Sequence, residues 1–288
     1  MTVRNVARGA VERVLSAAPR RTTAGDRLIL AYHNVVPCGA PMRGDRSLHL
    51  PVDRFEAQLR CLRQEADVVP LLELLQTNDP RARRVAITFD DAYASALALG
   101  VTACVAHGVP CTVFVAPALL GTVPIWDAAA ERGQWSVSDR HRFLWEQKGL
   151  GKAAETEPAA LRIATETELA AAEHAPGVTL GNHTMHHANL GALSTAEACA
   201  ELAVADAWLR VRFPAATVPV VAYPYGIAPQ DAPGAVLTAG LSYGLAVSGG
   251  WWLQRQPVTP LSVPRWNVPA SLSIRGFQLR LRGWIAEA

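Results

Sequence analysis

Lysine is almost missing from this sequence: Lys148 and Lys152 are the only two among 27 basic residues, and the rest are arginine. Net charge is only +2, without a dense basic stripe, so nothing demands a nucleic-acid partner. The arginine excess reads as coding bias rather than as a phosphate-binding surface. Charged residues are scarce, at 18% against 50% apolar, which argues against long disordered stretches. No apolar run reaches the ~18 residues that a membrane span needs. The start of the chain, up to Arg21, carries charges throughout and has no continuous apolar stretch of the secretory kind; a cytoplasmic location is the expectation. That segment also suits a short basic amphipathic helix, with Val3, Val6, Ala10 and Val14 on one side. Such a helix is frayed or packed on the core, or else makes peripheral contact with a membrane. The cysteines Cys38, Cys61, Cys104, Cys111 and Cys199 form no CxxC pair. An odd, scattered set is not a disulfide framework and reads as small buried hydrophobes. Internal repeats and low-complexity linkers are absent as well. The organisation expected is a basic extension over 1–26 and one domain over 27–288.

What is present is an alternation of short β-branched runs with helical segments. Strands are expected at Arg27–His33, Val85–Asp90, Cys111–Ala116, Gly177–His183, Val218–Pro224, Ser242–Val247 and Leu261–Trp266. Helices are expected from Val52 to Ala66 with Asp53 as N-cap, from Ala94 to Gly108, and from Ser194 to Arg212. Ser194 and Glu197 form the capping box of the last one. The alternation implies βαβ units and a mostly parallel sheet: an α/β fold, a distorted (β/α) barrel of about seven strands, with an open doubly wound sheet as the alternative. Residues 128–165, rich in Trp, Arg and Glu, fit least well and read as an insertion capping the site.

Polar residues gather where these strands end: His33; Asp90 and Asp91; Asn182 to His187; Tyr223 to Gly226. Loops at the C-terminal ends of parallel strands build active sites, so four distant clusters are expected to converge. Two adjacent carboxylates raise one another's pKa, and a metal resolves the conflict by neutralising one. His183 and His187 have the i, i+4 spacing of ligands on one helical turn. Two imidazoles and a carboxylate make a catalytic zinc set, and the second carboxylate is then free to act as base. Each cluster alone is weak; their conjunction points to a metal site. Zinc suits these ligands, with cobalt or nickel as alternatives and calcium disfavoured.

The segments TFDDAY (Thr88–Tyr93), HTMHH (His183–His187) and YPYG (Tyr223–Gly226) resemble the three main motifs of the polysaccharide deacetylase superfamily, carbohydrate esterase family 4, the NodB homology domain. Order and spacing match over about Leu28 to Trp266. The resemblance implies a metal-dependent N-deacetylase acting on an N-acetylated amino sugar. By motif position it implies Asp90 as base and Asp91, His183 and His187 as ligands. Thr184 falls at a supporting position near the substrate, and the Tyr225 backbone N–H is the implied oxyanion donor. The implied partner is a carbohydrate.

Two features depart from the family pattern. Ala222 stands where many members carry an Arg that orients the base; Arg265, in VPRW, is the candidate replacement, or else a surface residue. The late histidine that serves as general acid is also missing, since no His follows His187. His33, in LAYHNVV, is the best substitute, and a similar YHxV start marks the branch of poly-N-acetylglucosamine deacetylases. His186, at i, i+3, stays open as an alternative ligand to His187. Tyr223, Trp126, Asp127, Trp251 and Trp252 are candidates for lining a sugar site, with core packing as the alternative. Two other readings remain: a deacetylase of a small or lipid-linked amino sugar, and a catalytically silent carbohydrate-binding protein.

Overall fold

The computed structural model describes residues 21–284, apart from 78, 132, 134–160, 248 and 254–257. The expected N-terminal helix and most of the expected capping insertion lie outside the described residues.

Ten strands occur among them: β1 (Arg27–Tyr32), β2 (Asn34–Val36), β3 (His49–Pro51), β4 (Asp67–Val68), β5 (Arg84–Phe89), β6 (Cys111–Val115), β7 (Val178–Asn182), β8 (Thr217–Ala222), β9 (Tyr243–Leu245) and β10 (Trp266–Asn267). The main sheet runs β10-β1-β5-β6-β7-β8-β9, every pair parallel, with β4 beside β5 and β2–β3 as a separate pair. The inner strands read as continuous apolar runs because both faces are covered: β6 is buried at every residue. Pro219 sits inside β8 and cannot donate to a ladder. The register between β7 and β8 shifts there, from Leu180↔Thr217 to Asn182↔Val221.

The sheet curls into a distorted barrel whose two edges are joined by the segment after β9. Val263 N–H donates to the Gly244 carbonyl (2.9 Å), Ala246 N–H to Val263 (2.9 Å) and Arg265 N–H to Ala246 (3.1 Å). Trp266 and Asn267 then pair with Leu30 and Ala31 of β1. The strand expected over Leu261–Trp266 is therefore short and displaced, as Pro260 and Pro264 remove ladder donors.

The helices are α1 (Val52–Glu65), α2 (Leu71–Gln76), α3 (Thr102–Ala106), α4 (Ile125–Glu131), α5 (Glu166–Glu173), α6 (Thr195–Arg212) and α7 (Ile274–Leu281). The Ser194–Glu197 capping box opens α6 as expected. In α1 the N-cap is Pro51 without a side-chain cap, so Asp53 only places charge in the first turn. The helix expected from Ala94 begins instead as a π-type turn, Ala96–Val101. Gly100 lies there so close to Phe89 and Val35 that a Cβ would come within 2.9 Å of both. Cys61, Cys104 and Cys111 are buried as expected, but Cys38 is exposed. No helix among the described residues is long and apolar enough to cross a membrane.

Candidate metal centre and catalytic carboxylate

The site lies at the C-terminal ends of β1, β5, β7 and β8. Asp90 stays in the ladder, its N–H donating to the Tyr32 carbonyl (2.8 Å). The next two residues, Asp91 and Ala92, are left-handed, with φ of 68° and 57°. Such backbone costs on the order of 1–3 kcal/mol per residue, and it turns the chain so that the two carboxylates find different partners.

Asp91 faces the histidines. His187 Nε2 lies 3.2 Å and His183 Nε2 3.4 Å from Asp91 Oδ1. The ligand-capable atoms of these three buried residues all lie within 4.8 Å of one another. The two rings do not share a helical turn, as their spacing suggested. Residues 183–187 form a loop with Thr184 and His187 left-handed, φ 61° and 56°. Thr184 is wholly buried and serves this loop: its N–H donates to Asn182 Oδ1 (2.8 Å), and its hydroxyl accepts from the Ala188 N–H (2.9 Å). His186 turns away, its Nδ1 on Glu201 Oε1 (2.8 Å) and its side chain 42% exposed. Of the two histidines it is His187, not His186, that faces Asp91.

The outer ring nitrogens are also engaged. His183 Nδ1 lies 2.7 Å from the Ala222 carbonyl. A carbonyl only accepts, so this nitrogen carries the proton, and a neutral ring turns the Nε2 lone pair toward Asp91. His187 Nδ1 is 3.1 Å from the Tyr225 hydroxyl, whose ring stands edge-on to the imidazole. Burial pushes the Asp91 carboxyl up, but the two imidazoles outweigh it and hold it far below the usual range. The same carboxylate acts back on the rings. Burial lowers His183, yet Asp91 and Asp90 bring it above its ordinary value, while burial prevails at His187 and leaves it low. Asp91 Oδ1 is buried without a hydrogen-bond partner. An orphaned anionic oxygen between two imidazole nitrogens fits a divalent cation.

Asp90 faces Arg265. The guanidinium is fully buried and bidentate, Nη1–Oδ1 2.7 Å and Nη2–Oδ2 2.8 Å, and Nη1 also donates to Thr88 Oγ1 (3.2 Å). Burial raises the Asp90 carboxyl, but Arg265, with His183 and His33, holds it below its ordinary value. His33 follows β1 and is half-buried. Burial lowers its imidazolium against the pull of Asp90 and Asp91, with Arg265 and His183 opposing them. All four expected clusters therefore meet.

The expected sugar-lining residues are placed differently. Tyr223 is fully buried, crosses Gly244 and donates to the Leu261 carbonyl (2.8 Å), tying β8 to the closing segment. Asp127 is fully buried and accepts from the Asp45 N–H (2.7 Å) and the Tyr93 hydroxyl (2.6 Å), with His49 Nε2 at 3.1 Å. Trp126 is 5% exposed, donates to Tyr93 Oη (2.9 Å), and lays its ring against His187, centroids 4.5 Å apart. Trp251 donates to the Arg280 carbonyl (3.1 Å), and Trp252 exchanges backbone hydrogen bonds with Arg27. Arg27 opens β1 whereas His33 follows its end, about 20 Å away at ~3.3 Å per residue. Both tryptophans therefore lie at the opposite end of the barrel from the site. The sequence did not single out His49, which no motif surrounds, and gave Tyr93 only as the last residue of TFDDAY, with no role of its own.

A family model described as polysaccharide deacetylase matches residues 77–244, more than half of the chain. No curated protein sequence matches it significantly. Solved structures of similar fold include the Streptococcus pyogenes deacetylase PplD in complex with acetate, at TM-score 0.63 and 16% identity, covering 90% of this chain and 99% of that one. IcaB from Ammonifex degensii gives 0.63 and 16%, over 91% and 98%. The polysaccharide deacetylase BC0361 from Bacillus cereus gives 0.65 and 14%, over 89% and 69%.

Proposed function

The chain belongs to the polysaccharide deacetylase family, a hydrolase acting on carbon–nitrogen bonds, and on that premise we propose that it removes the acetyl group from an N-acetylated amino sugar with the help of one divalent ion, zinc in the first instance, held by Asp91, His183 and His187. One observation carries the reading. The buried, unpartnered Asp91 Oδ1 faces two imidazoles, beside a second carboxylate that a buried arginine holds ionised. Acetate is the ligand of the Streptococcus pyogenes relative and is the product expected here. The YHNV segment favours the branch resembling poly-N-acetylglucosamine deacetylases.

A bound ion supplies Lewis-acid polarisation of the acetamide carbonyl and acidifies water. The rest is the work of this chain's side chains. Asp90, ionised and clamped in one orientation, accepts a proton at a carboxylate oxygen from the attacking water. Arg265 keeps both oxygens aimed and Asp90 deprotonated between turnovers. The Tyr225 backbone N–H, presented by a residue at φ 61°, donates to the developing oxyanion. His33 hands a proton to the departing amine, which leaves poorly without one. The reading as a silent carbohydrate-binding protein rests on the missing motif arginine and the missing late histidine; Arg265, bidentate to Asp90, and His33, near the two aspartates, are the candidates to replace them.

The test is acetate release from N-acetylated monosaccharides, oligosaccharides and lipid-linked sugars, with and without chelator. Release that stops with chelator and returns with zinc supports the proposal; chelator-resistant release refutes the metal. Asp90→Asn should keep its metal and lose on the order of 10²–10⁴ in rate. Wild-type rate in that variant would remove Asp90 from the mechanism.

A further inference from the structure

Behind His187 lies a buried polar chain that the reaction as described does not use. His49, Tyr93 and Asp127 are 1%, 0% and 0% exposed and come from β3, the turn after Asp91, and α4. Asp127 accepts from the Tyr93 hydroxyl (2.6 Å), and that oxygen accepts from the Trp126 indole N–H (2.9 Å). The indole is thereby fixed with its face against the His187 ring, 4.5 Å between centroids and 40° between planes. His187 is held on two other sides, by Tyr225 at Nδ1 and by the His183 ring at 4.8 Å. The tryptophan packs on the same ring, and its own indole N–H is tied to the Tyr93 hydroxyl. A buried carboxylate with three donors around it is an expensive device for packing one indole, since an apolar contact would serve as well. Its distinct contribution is orientation: a single rotamer for Trp126 and hence for His187.

We infer that Asp127, Tyr93 and Trp126 act as positioning residues that preset the His187 imidazole for the metal. The inference rests on the ligand set of the proposed function. Groups that orient metal ligands are worth about 10–100-fold in metal affinity. Tyr93→Phe removes the shared hydroxyl and keeps the ring, while Trp126→Phe keeps an aromatic face and loses the N–H. Each should weaken cobalt(II) binding by about 10–100-fold, measured by competition with a chelator, and should alter the visible absorption bands of the bound cobalt. The double variant should be little worse than either single one, because both break one link. Unfolding of the metal-free variants, followed alongside, reads out a merely structural role. Variants that lose thermal stability yet keep wild-type cobalt affinity and spectrum overturn the inference, as does full additivity. Wild-type protein that fails to take up one cobalt overturns the ligand set itself, a result distinct from variants that bind normally.

Discussion

Arg265→Met is the sharpest perturbation the structure offers. The arginine is fully buried and its guanidinium is bidentate to Asp90 at 2.7 and 2.8 Å. Methionine fills similar length without charge, so Asp90 is left as a buried carboxylate without its bidentate partner. Breaking a buried pair from one side costs about 3–5 kcal/mol. At roughly 2–4 °C per kcal/mol, the metal-free variant should melt on the order of 6–20 °C below wild type at pH 7. The sign of the pH dependence follows from the shift. In wild type the Asp90 carboxyl is depressed, so its ionisation adds stability that is present above the unfolded value, near 3.9, and is lost as pH falls through the folded one. In the variant, burial acts with far less opposition and the carboxyl moves up. The folded variant then takes a proton at higher pH, which relieves the buried charge. The gap in melting temperature should therefore be largest at neutral pH and narrow toward about pH 4–5. Adding Asp90→Asn to Arg265→Met should recover part of the loss, since the orphaned charge is gone. Circular dichroism melts of wild type, the two single variants and the double variant in chelator decide it. An Arg265→Met protein within about 2 °C of wild type at pH 7, or a gap that widens in acid, refutes the reasoning.

Metal analysis should show about one equivalent in wild type and in His186→Ala and almost none in His187→Ala; the reverse would put the ligand register on His186. The His33→Ala variant should lose most activity on acetamides and much less on an acetate ester, whose alcohol leaves without as much protonation; equal losses would assign the acid elsewhere. The descending limb of the acetamide pH profile should lie below the ordinary histidine value of about 6.5, as the lowered His33 imidazolium requires, and should disappear in that variant. A Cβ on Gly244 would overlap the Tyr223 hydroxyl and meet the Leu261 carbonyl oxygen at 3.0 Å, so Gly244→Ala should cost about 1–3 kcal/mol in denaturant unfolding; an unchanged midpoint would show that Tyr223 is free to move.

The local pattern of the chain was enough for the strands β1, β5, β6, β7 and β8, because a strand covered on both faces must be a short continuous apolar run. It was enough for the α6 capping box, whose partners are three residues apart, and for the polar clusters that follow the strands, since parallel strands bring their C-terminal ends together. Tertiary structure alone decided the rest. Arg265 and Asp90 are 175 residues apart, and nothing local distinguishes a buried clamp from a surface arginine. That His187 rather than His186 faces Asp91 depends on two left-handed residues in the loop and on Glu201 from α6, neither of which a spacing rule contains. Trp126, Asp127, Tyr223 and Trp251 had the composition of a sugar site but are set into the scaffold, because a side chain's exposure is fixed by what packs on it from elsewhere in the chain. Closure of the barrel was hidden for the same reason: the joining segment carries Pro260 and Pro264, reads poorly as a strand, and is held by the two edges it connects.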